Sequence, residues 1–217
     1  MNKSLNLFHG TSIGWLMQDG FRVPSRPFGE GGYPMHTFIH LCSELQGAED
    51  AAHKAFSEAS RRLNKGDLRQ DDFCFDGIYF TPDKYVYEVE IQNSARRIDL
   101  FATELDVKST LRIYQCLLKR AWRYSPIKLW RLLRIYGQFR CSPGTIGNWI
   151  RESLENACGL NGGDQQVVEL LREAGFDLIE NIHSGSSSNY DVVYALIIRP
   201  ERSTQAGTPV VIRVVWP

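Results

Sequence analysis

A histidine followed by a glycine and two hydroxyl residues lies near the start of this sequence, in the run Leu7 to Ser12. The two apolar residues before His9 predict a short strand that ends at the histidine. Gly10 has no side chain and lets the backbone lie close to a ligand, while imidazole and hydroxyl groups both exchange hydrogen bonds. The run therefore predicts a strand end that presents a ring and bare peptide groups to a ligand. The alternative is a histidine that is simply hydrogen-bonded at a strand edge.

The length and composition are those of a globular chain. The sequence has 217 residues, of which 43% are hydrophobic and 12% aromatic, enough for one large or two small domains with a buried core. The longest apolar run, Val192 to Ile198, suits a buried strand and is far shorter than the ~18 residues that a membrane span needs. We expect no membrane partner, and the first ten residues do not resemble a signal peptide.

The cysteines favour a reducing compartment. They are odd in number and no pair is two or three residues apart: Cys42, Cys74, Cys116, Cys141 and Cys158. Such spacing supports neither a zinc knuckle nor a disulfide framework. We therefore expect reduced, mostly structural thiols, no metal site and a cytoplasmic location.

Charge is distributed unevenly along a chain whose net charge is zero. Between Val107 and Arg151 there are ten basic residues and no Asp or Glu, which leaves 15 basic and 25 acidic residues elsewhere. A segment of +10 thus faces a remainder of −10, and this asymmetry needs a partner inside the fold or outside it. The basic residues are Lys108, Arg112, Lys119, Arg120, Arg123, Lys128, Arg131, Arg134, Arg140 and Arg151.

Helical periodicity places this basic segment on helices. Apolar residues recur at helical spacing from Leu111 onward, and again in a second helix that we expect Gly137 to end. A third helix is predicted from Thr145 to Ala157. We interpret residues 104–160 as an inserted basic helical subdomain within a single domain that spans residues 1–217.

Strands and a helix are predicted on both sides of this insertion. Residues 37–42 read as a strand, and an alanine-rich helix from Glu44 to Leu63, capped by Ser43, can pack close to a sheet. Alternation with a period of two from Tyr85 to Ile91 and from Val210 to Trp216 predicts two further strands. Separate runs of strands and helices indicate an α+β fold.

This order of elements resembles the ADP-ribosyltransferases of the diphtheria-toxin and poly(ADP-ribose) polymerase type, and most closely the small bacterial ones such as the rifamycin-modifying enzymes. The resemblance implies an ADP-ribosyltransferase-like fold of two small packed β-sheets with a nicotinamide cleft, and NAD as the substrate. The family begins with His-Gly-Thr or His-Gly-Ser. Carried over, the motif implies that His9 binds the ribose beside nicotinamide, that Gly10 holds the carboxamide, and that Thr11 lies on the adenosine side.

The second family motif is an aromatic residue on a strand, then a hydroxyl residue, then a helix containing alanine. The resemblance assigns His40 to the place of the usual nicotinamide-stacking tyrosine and Ser43 to the hydroxyl. An imidazole can stack on the same ring, but it titrates near pH ~6.5, which tyrosine does not. A rival alignment uses residues 77–81, Gly-Ile-Tyr-Phe-Thr, and assigns the stacking role to Tyr79.

A carboxylate near the ribose is expected, because breaking the nicotinamide–ribose bond passes through an oxocarbenium-like state. Residues 189–194 resemble the last catalytic strand of the family, which carries a glutamate. Asp191 is the nearest acid to that position. A register shift of one residue would bring Tyr190 there instead, and Asp99 is a third candidate because the rifamycin-modifying enzymes have an aspartate after their third strand.

Together these features predict an NAD-dependent mono-ADP-ribosyltransferase that acts as a bacterial toxin on nucleic acid, with RNA favoured. Lys128, Arg131 and Arg134 would bind phosphates, and interleaved aromatic residues could stack on bases. A toxin of this kind would need a neutralising antitoxin protein. Open alternatives are a protein or small-molecule acceptor, an RNA 2′-phosphotransferase, a non-catalytic NAD- or RNA-binding module, and basic side chains that only pair within the fold or with an acidic protein. The aromatic residues are Trp122, Tyr124, Trp130 and Tyr136.

Overall fold

A computed structural model describes residues 5–12, 39–68, 74–75, 78–79, 81–122, 126–141, 144–182, 193–199 and 210–216. In these ranges the chain forms nine β-strands and five α-helices, which confirms the α+β class. The chain divides into two compact units, one of residues 1–95 with 188–217 and the other of residues 96–187. No helix in the described ranges combines the length and hydropathy needed to cross a bilayer.

The first unit is built on strands that pair antiparallel with their neighbours. Their bounds are Leu5–Thr11 for β1, Ile39–Cys42 for β2, Tyr85–Ile91 for β5, Tyr194–Ile197 for β8 and Val210–Trp216 for β9. They lie side by side in the order β8, β2, β1, β5, β9. The predicted bounds of the strands 85–91 and 210–216 are confirmed. A separate two-stranded ladder joins β3, Cys74–Phe75, to β4, Ile78–Tyr79.

Helix α1, Leu45–Asn64, packs directly against β1. Its small residues Ala48 and Ala52 are buried with Val86 of β5, and Phe8 of β1 packs on this cluster. A Cβ atom at Gly10 would overlap the carbonyl oxygen of Ala48 and lie 2.7 Å from the amide nitrogen of Ala52. The alanine face therefore confirms the predicted close approach of a helix to a sheet, and the absence of a side chain at position 10 permits it.

The second unit contains a parallel strand pair and the basic helices. Strands β6, Arg97–Asp99, and β7, Leu178–Glu180, pair in parallel. The helices are α2, Val107–Trp122, α3, Pro126–Cys141, α4, Ile146–Glu152, and α5, Asp164–Glu173, and α4 continues as a π-helical turn over Ser153–Cys158. The segment 104–160 lies inside this unit, which also includes α5 and both of its strands.

Three local predictions are wrong. Strand β1 does not end at His9 but runs on through Thr11, where Gly10 and Thr11 pair with Val86 and Tyr85 of β5. Gly137 does not end the second helix, which runs on to Cys141, because Phe139 beyond it stacks on Trp149 at 5.2 Å and holds the last turn in place. Ser43 does not cap α1, where Glu44 is the N-cap residue and makes no side-chain cap. The Ser43 hydroxyl accepts a hydrogen bond from the Val193 amide instead, 2.9 Å away.

Aromatic stacking and ion pairs hold the helices of the second unit together. Tyr136 of α3 lies between Tyr114 and Trp149, with ring centroids 5.4 and 5.9 Å away. Arg120 of α2 pairs with Glu173 of α5 at 3.0 Å, and Arg151 of α4 pairs with Asp164 at 2.7 Å. Part of the basic segment thus finds acidic partners inside its own unit.

Candidate active site

The imidazole of His9 is fixed by a hydrogen bond across the sheet. Its Nδ1 atom lies 2.8 Å from the backbone carbonyl oxygen of His40. A carbonyl oxygen can only accept, so the Nδ1 atom must carry the proton that is donated. In the neutral ring the Nε2 atom then has a lone pair and can only accept a hydrogen bond. The neighbouring strand β2 therefore selects the tautomer of His9.

Burial keeps this ring neutral. The residue as a whole is partly accessible, but desolvation of the imidazole lowers the pKa of His9 from 6.5 to about 4, although the hydrogen bond to the His40 carbonyl acts in the opposite direction. Desolvation dominates because a protonated ring would have to give up most of its hydration. At neutral pH the side chain at position 9 is therefore an uncharged hydrogen-bond acceptor through Nε2.

Two tyrosines of β5 lie opposite the motif. The β1–β5 register pairs His9 with Tyr87 and Thr11 with Tyr85, and directly paired residues project from the same face of a sheet. The two tyrosine rings are stacked, with centroids 6.4 Å apart and planes 20° apart. Tyr87 is fully buried and Tyr85 is half-buried, and burial raises the pKa of both phenols. At neutral pH both are uncharged.

These tyrosines are the site residues that sequence reasoning missed. The alternation Tyr-Val-Tyr within β5 already placed both rings on one face of a strand. Which strand lies beside His9, and in what register, is set by long-range pairing, which a single sequence does not reveal.

The structure brings only part of the predicted constellation to this face. Thr11 and His9 share this face. Phe8, which packs on α1, is paired with Cys42, and His40 lies two residues from Cys42 on the same strand. The exposed His40 is therefore on the opposite face, the one that packs on α1. The backbone carbonyl of His40, and not its ring, therefore contacts His9. The stacking role predicted for the His40 ring stays a prediction.

Ser43 joins the end of β2 to the start of β8. Its amide donates to the Val193 carbonyl and its hydroxyl accepts from the Val193 amide, both at 2.9 Å. Val193 follows Asp191 by two residues in the sequence. Asp191 and Tyr190 themselves lie outside the described residues, as does the side chain of Tyr79, whose backbone on β4 pairs with Cys74.

Asp99, the third candidate acid, is hydrogen-bonded within the second unit. Its Oδ1 atom accepts from the Phe101 amide at 2.8 Å and from the Asn181 side chain at 2.9 Å. It pairs in register with Glu180. Burial raises the pKa of the Glu180 carboxyl; the positive charge of Arg97 opposes this shift, and the negative charge of Asp99 adds to it. These bonds tie Asp99 to the end of β7, and its catalytic role stays a prediction.

The three predicted phosphate-binding residues of α3 are not equivalent. Lys128 is half-buried, and its Nζ atom lies 2.7 Å from where a Cβ atom at Gly159 would be. Arg131 and Arg134 are exposed on the outer face of the helix. Over the described ranges, no group of three or more metal-ligating side chains is found.

Comparison with known proteins adds no assignment. No protein-family model matches this chain, and no curated protein matches it significantly in sequence.

Proposed function

We propose that the protein is an NAD-dependent mono-ADP-ribosyltransferase whose nicotinamide ribose is bound at the face of β1 and β5 that carries His9. The observation that supports this best is the fixed tautomer of His9, with the ring anchored through Nδ1 to the His40 carbonyl. The Nε2 atom is then an acceptor of known orientation, as a ribose hydroxyl donor requires.

The charge of the site also suits the dinucleotide. The nicotinamide ring of NAD is cationic, and a His9 whose pKa is about 4 does not repel it at neutral pH. The half-buried ring of Tyr85, stacked on Tyr87, offers an aromatic face to a cationic ring. A charged imidazole at position 9 would oppose this binding.

In the proposed reaction the bond between nicotinamide and ribose breaks, nicotinamide leaves with the bonding electrons, and the ribose C1 atom bonds to an acceptor that loses a proton. A carboxylate is required to stabilise the cationic sugar, and we assign it to Asp191 by resemblance. The Ser43–Val193 hydrogen bonds anchor the strand that follows this residue in the sequence.

The test is release of nicotinamide from NAD, measured by chromatography with cell extract as the source of acceptors. The variant His9→Asn keeps a donor near the position of Nδ1 and removes the Nε2 acceptor. We expect turnover to fall about 100-fold, and a similar or larger loss for Asp191→Ala. The matched control His53→Asn changes an exposed histidine of α1 and should leave turnover unchanged.

Other functions give different results in the same assay. NAD binding without nicotinamide release, with any extract, would refute the transferase and identify a binding module. Turnover that depends on RNA bearing an internal 2′-phosphate would identify the phosphotransferase. Full activity of His9→Asn would remove the imidazole from the mechanism.

A further inference from the structure

The basic residues of the segment 107–151 that the structure describes differ in their surroundings. Arg120 is neutralised by Glu173 at 3.0 Å. Arg151 is neutralised by Asp164 at 2.7 Å and also donates to the carbonyl oxygens of Gly162 and Ile182. These two guanidiniums hold the helices of the second unit together and are not available to an outside partner.

The outer face of α3 is different. Arg131 and Arg134 are exposed, and within the described ranges neither has an ion pair or a side-chain hydrogen bond. Trp130 directly precedes Arg131 and lies one turn before Arg134, and 69% of its surface is accessible. At this helical spacing Arg134, four residues on, is the neighbour of the indole on the helix surface, and Arg131, three residues before Arg134, lies beside Arg134.

The exposure of Trp130 separates it from the other aromatic residues of α3. Tyr136 and Phe139 turn inward toward Trp149: the Tyr136 ring is tilted against it at 5.9 Å, and the Phe139 ring stacks on it at 5.2 Å. Leaving an indole in water gives up the burial energy that these two rings obtain, of the order of 2 kcal/mol. An exposed aromatic plane with a cation beside it and a second cation nearby on the same helix is the combination that binds bases and phosphates of a single strand.

We propose that the outer face of α3 binds single-stranded nucleic acid, with a base stacked on Trp130 and phosphates bound by Arg131 and Arg134. A single strand is required because the bases of a duplex are stacked on each other and offer no free face to the indole. An acidic protein would use the two arginines, but it would have no base to place on the indole. Binding needs no NAD, and only the further step, that the bound strand accepts ADP-ribose, rests on the proposed function.

The experiment measures binding of a fluorescein-labelled RNA of about ten nucleotides by fluorescence anisotropy, over a range of salt and without NAD. Trp130→Ala should weaken binding about tenfold and leave the salt dependence unchanged, because stacking releases no counterions. Arg131→Gln with Arg134→Gln should weaken binding and reduce the slope of log affinity against log salt by about 1.4, or ~0.7 for each phosphate that is no longer neutralised.

Matched controls separate these effects from general changes in charge or hydrophobicity. Lys54→Gln with Lys65→Gln removes two exposed charges from α1 and the residue that follows it, and should leave the RNA affinity within about twofold of the wild type. Val107→Ala trims a side chain that is 75% exposed on α2 and should also leave the RNA affinity unchanged. Circular dichroism of each variant confirms that the helices are retained.

Wild-type RNA affinity in Trp130→Ala would overturn the proposal. So would polyglutamate that binds as tightly as RNA of equal charge and displaces it, since the surface would then be specific for acidic protein. His9→Asn should bind the RNA like the wild type. A variant that loses nicotinamide release but keeps RNA binding is defective only at the NAD site. A variant that loses RNA binding but keeps nicotinamide release is defective only at the outer face of α3.

Discussion

At the scale of single residues, the neutral state of His9 makes the stability of the first unit depend on pH. Its pKa is about 4 in the folded protein against an ordinary 6.5, so between these values the unfolded chain binds more protons than the folded one. Stability must therefore fall as the pH drops from 6.5 to about 4. Above pH 6.5 the His9 imidazole has no effect on the pH dependence of stability. The full difference in pKa corresponds to a loss of roughly 3 kcal/mol.

We predict that the free energy of unfolding in urea decreases from about pH 7 to about pH 4.5 and that this decrease is smaller in His9→Asn. The asparagine keeps a donor for the His40 carbonyl but does not titrate. His53→Asn serves as the histidine control. Equal pH dependence in the wild type and His9→Asn would show that the imidazole is not held neutral by burial.

The cysteines give a second prediction at this scale. Cys42, Cys116 and Cys158 are buried, and burial raises the pKa of each thiol, whereas Cys141 at the end of α3 is exposed. The thiolate is the reactive form, so among these four we expect iodoacetamide to modify Cys141 first. Peptide mapping by mass spectrometry at short times measures this order. Earlier modification of Cys42, Cys116 or Cys158 would contradict the packing around them.

At the scale of secondary-structure elements, the contact between β1 and α1 determines the position of His9. Gly10 permits this contact because any Cβ atom would meet the backbone of Ala48 and Ala52. The same glycine was predicted from the sequence to approach a ligand. The structure adds a packing role, which does not depend on any ligand.

We predict that Gly10→Ala destabilises the protein by about 3 kcal/mol or more, because backbone atoms of α1 cannot move aside as a flexible side chain can. Gly137→Ala is the matched control, since its Cβ atom meets nothing within 4 Å inside α3. That change should stabilise the protein by about 0.5–1 kcal/mol. Urea unfolding measures both, and a Gly10→Ala variant as stable as the wild type would refute the close packing.

The sequence predicted most elements but not how they meet. Alternation and helical periodicity are local signals, so β5, β9 and the helices α1 to α4 were predictable. The pairing of Tyr87 with His9 and the hydrogen bonds of Ser43 to Val193 join residues far apart in sequence, where no local pattern operates. Glycine is a poor helix former, so Gly137 looked like the end of the helix. The contact that holds the helix together beyond it, Phe139 on Trp149, is also long-range and could not be read from the local sequence.

At the scale of the whole molecule, the first unit is assembled from both ends of the described chain, while the second comes from a continuous stretch. Strands β8 and β9 follow the second unit in the sequence but pair with β2 and β5. The face that carries His9 therefore depends on residues at the far end of the chain.

We predict that a chain ending at residue 187 loses the first unit and keeps the second. Without β8 and β9 the strands β2 and β5 lose a pairing partner each, and their exposed edges cannot be satisfied within the unit. Hydrogen exchange measured by mass spectrometry should show loss of protection in β1, β2 and β5 with protection retained in α2 and α5. Retained protection in the strands would show that β8 and β9 are dispensable.

Although the net charge is zero, the basic residues of the second unit are compensated unevenly. Arg120 and Arg151 are compensated by α5, whereas Arg131 and Arg134 face solvent. The excess of basic residues seen in the sequence is thus partly neutralised inside the second unit and partly left exposed at its surface.

The order of the strands has a consequence for synthesis. Strands β8 and β9 are the last elements of the described chain to be synthesised, so β2 and β5 still lack a pairing partner after the whole second unit has been made. An activity that depends on His9 would then be silent in nascent chains and would arise only after the last strands emerge.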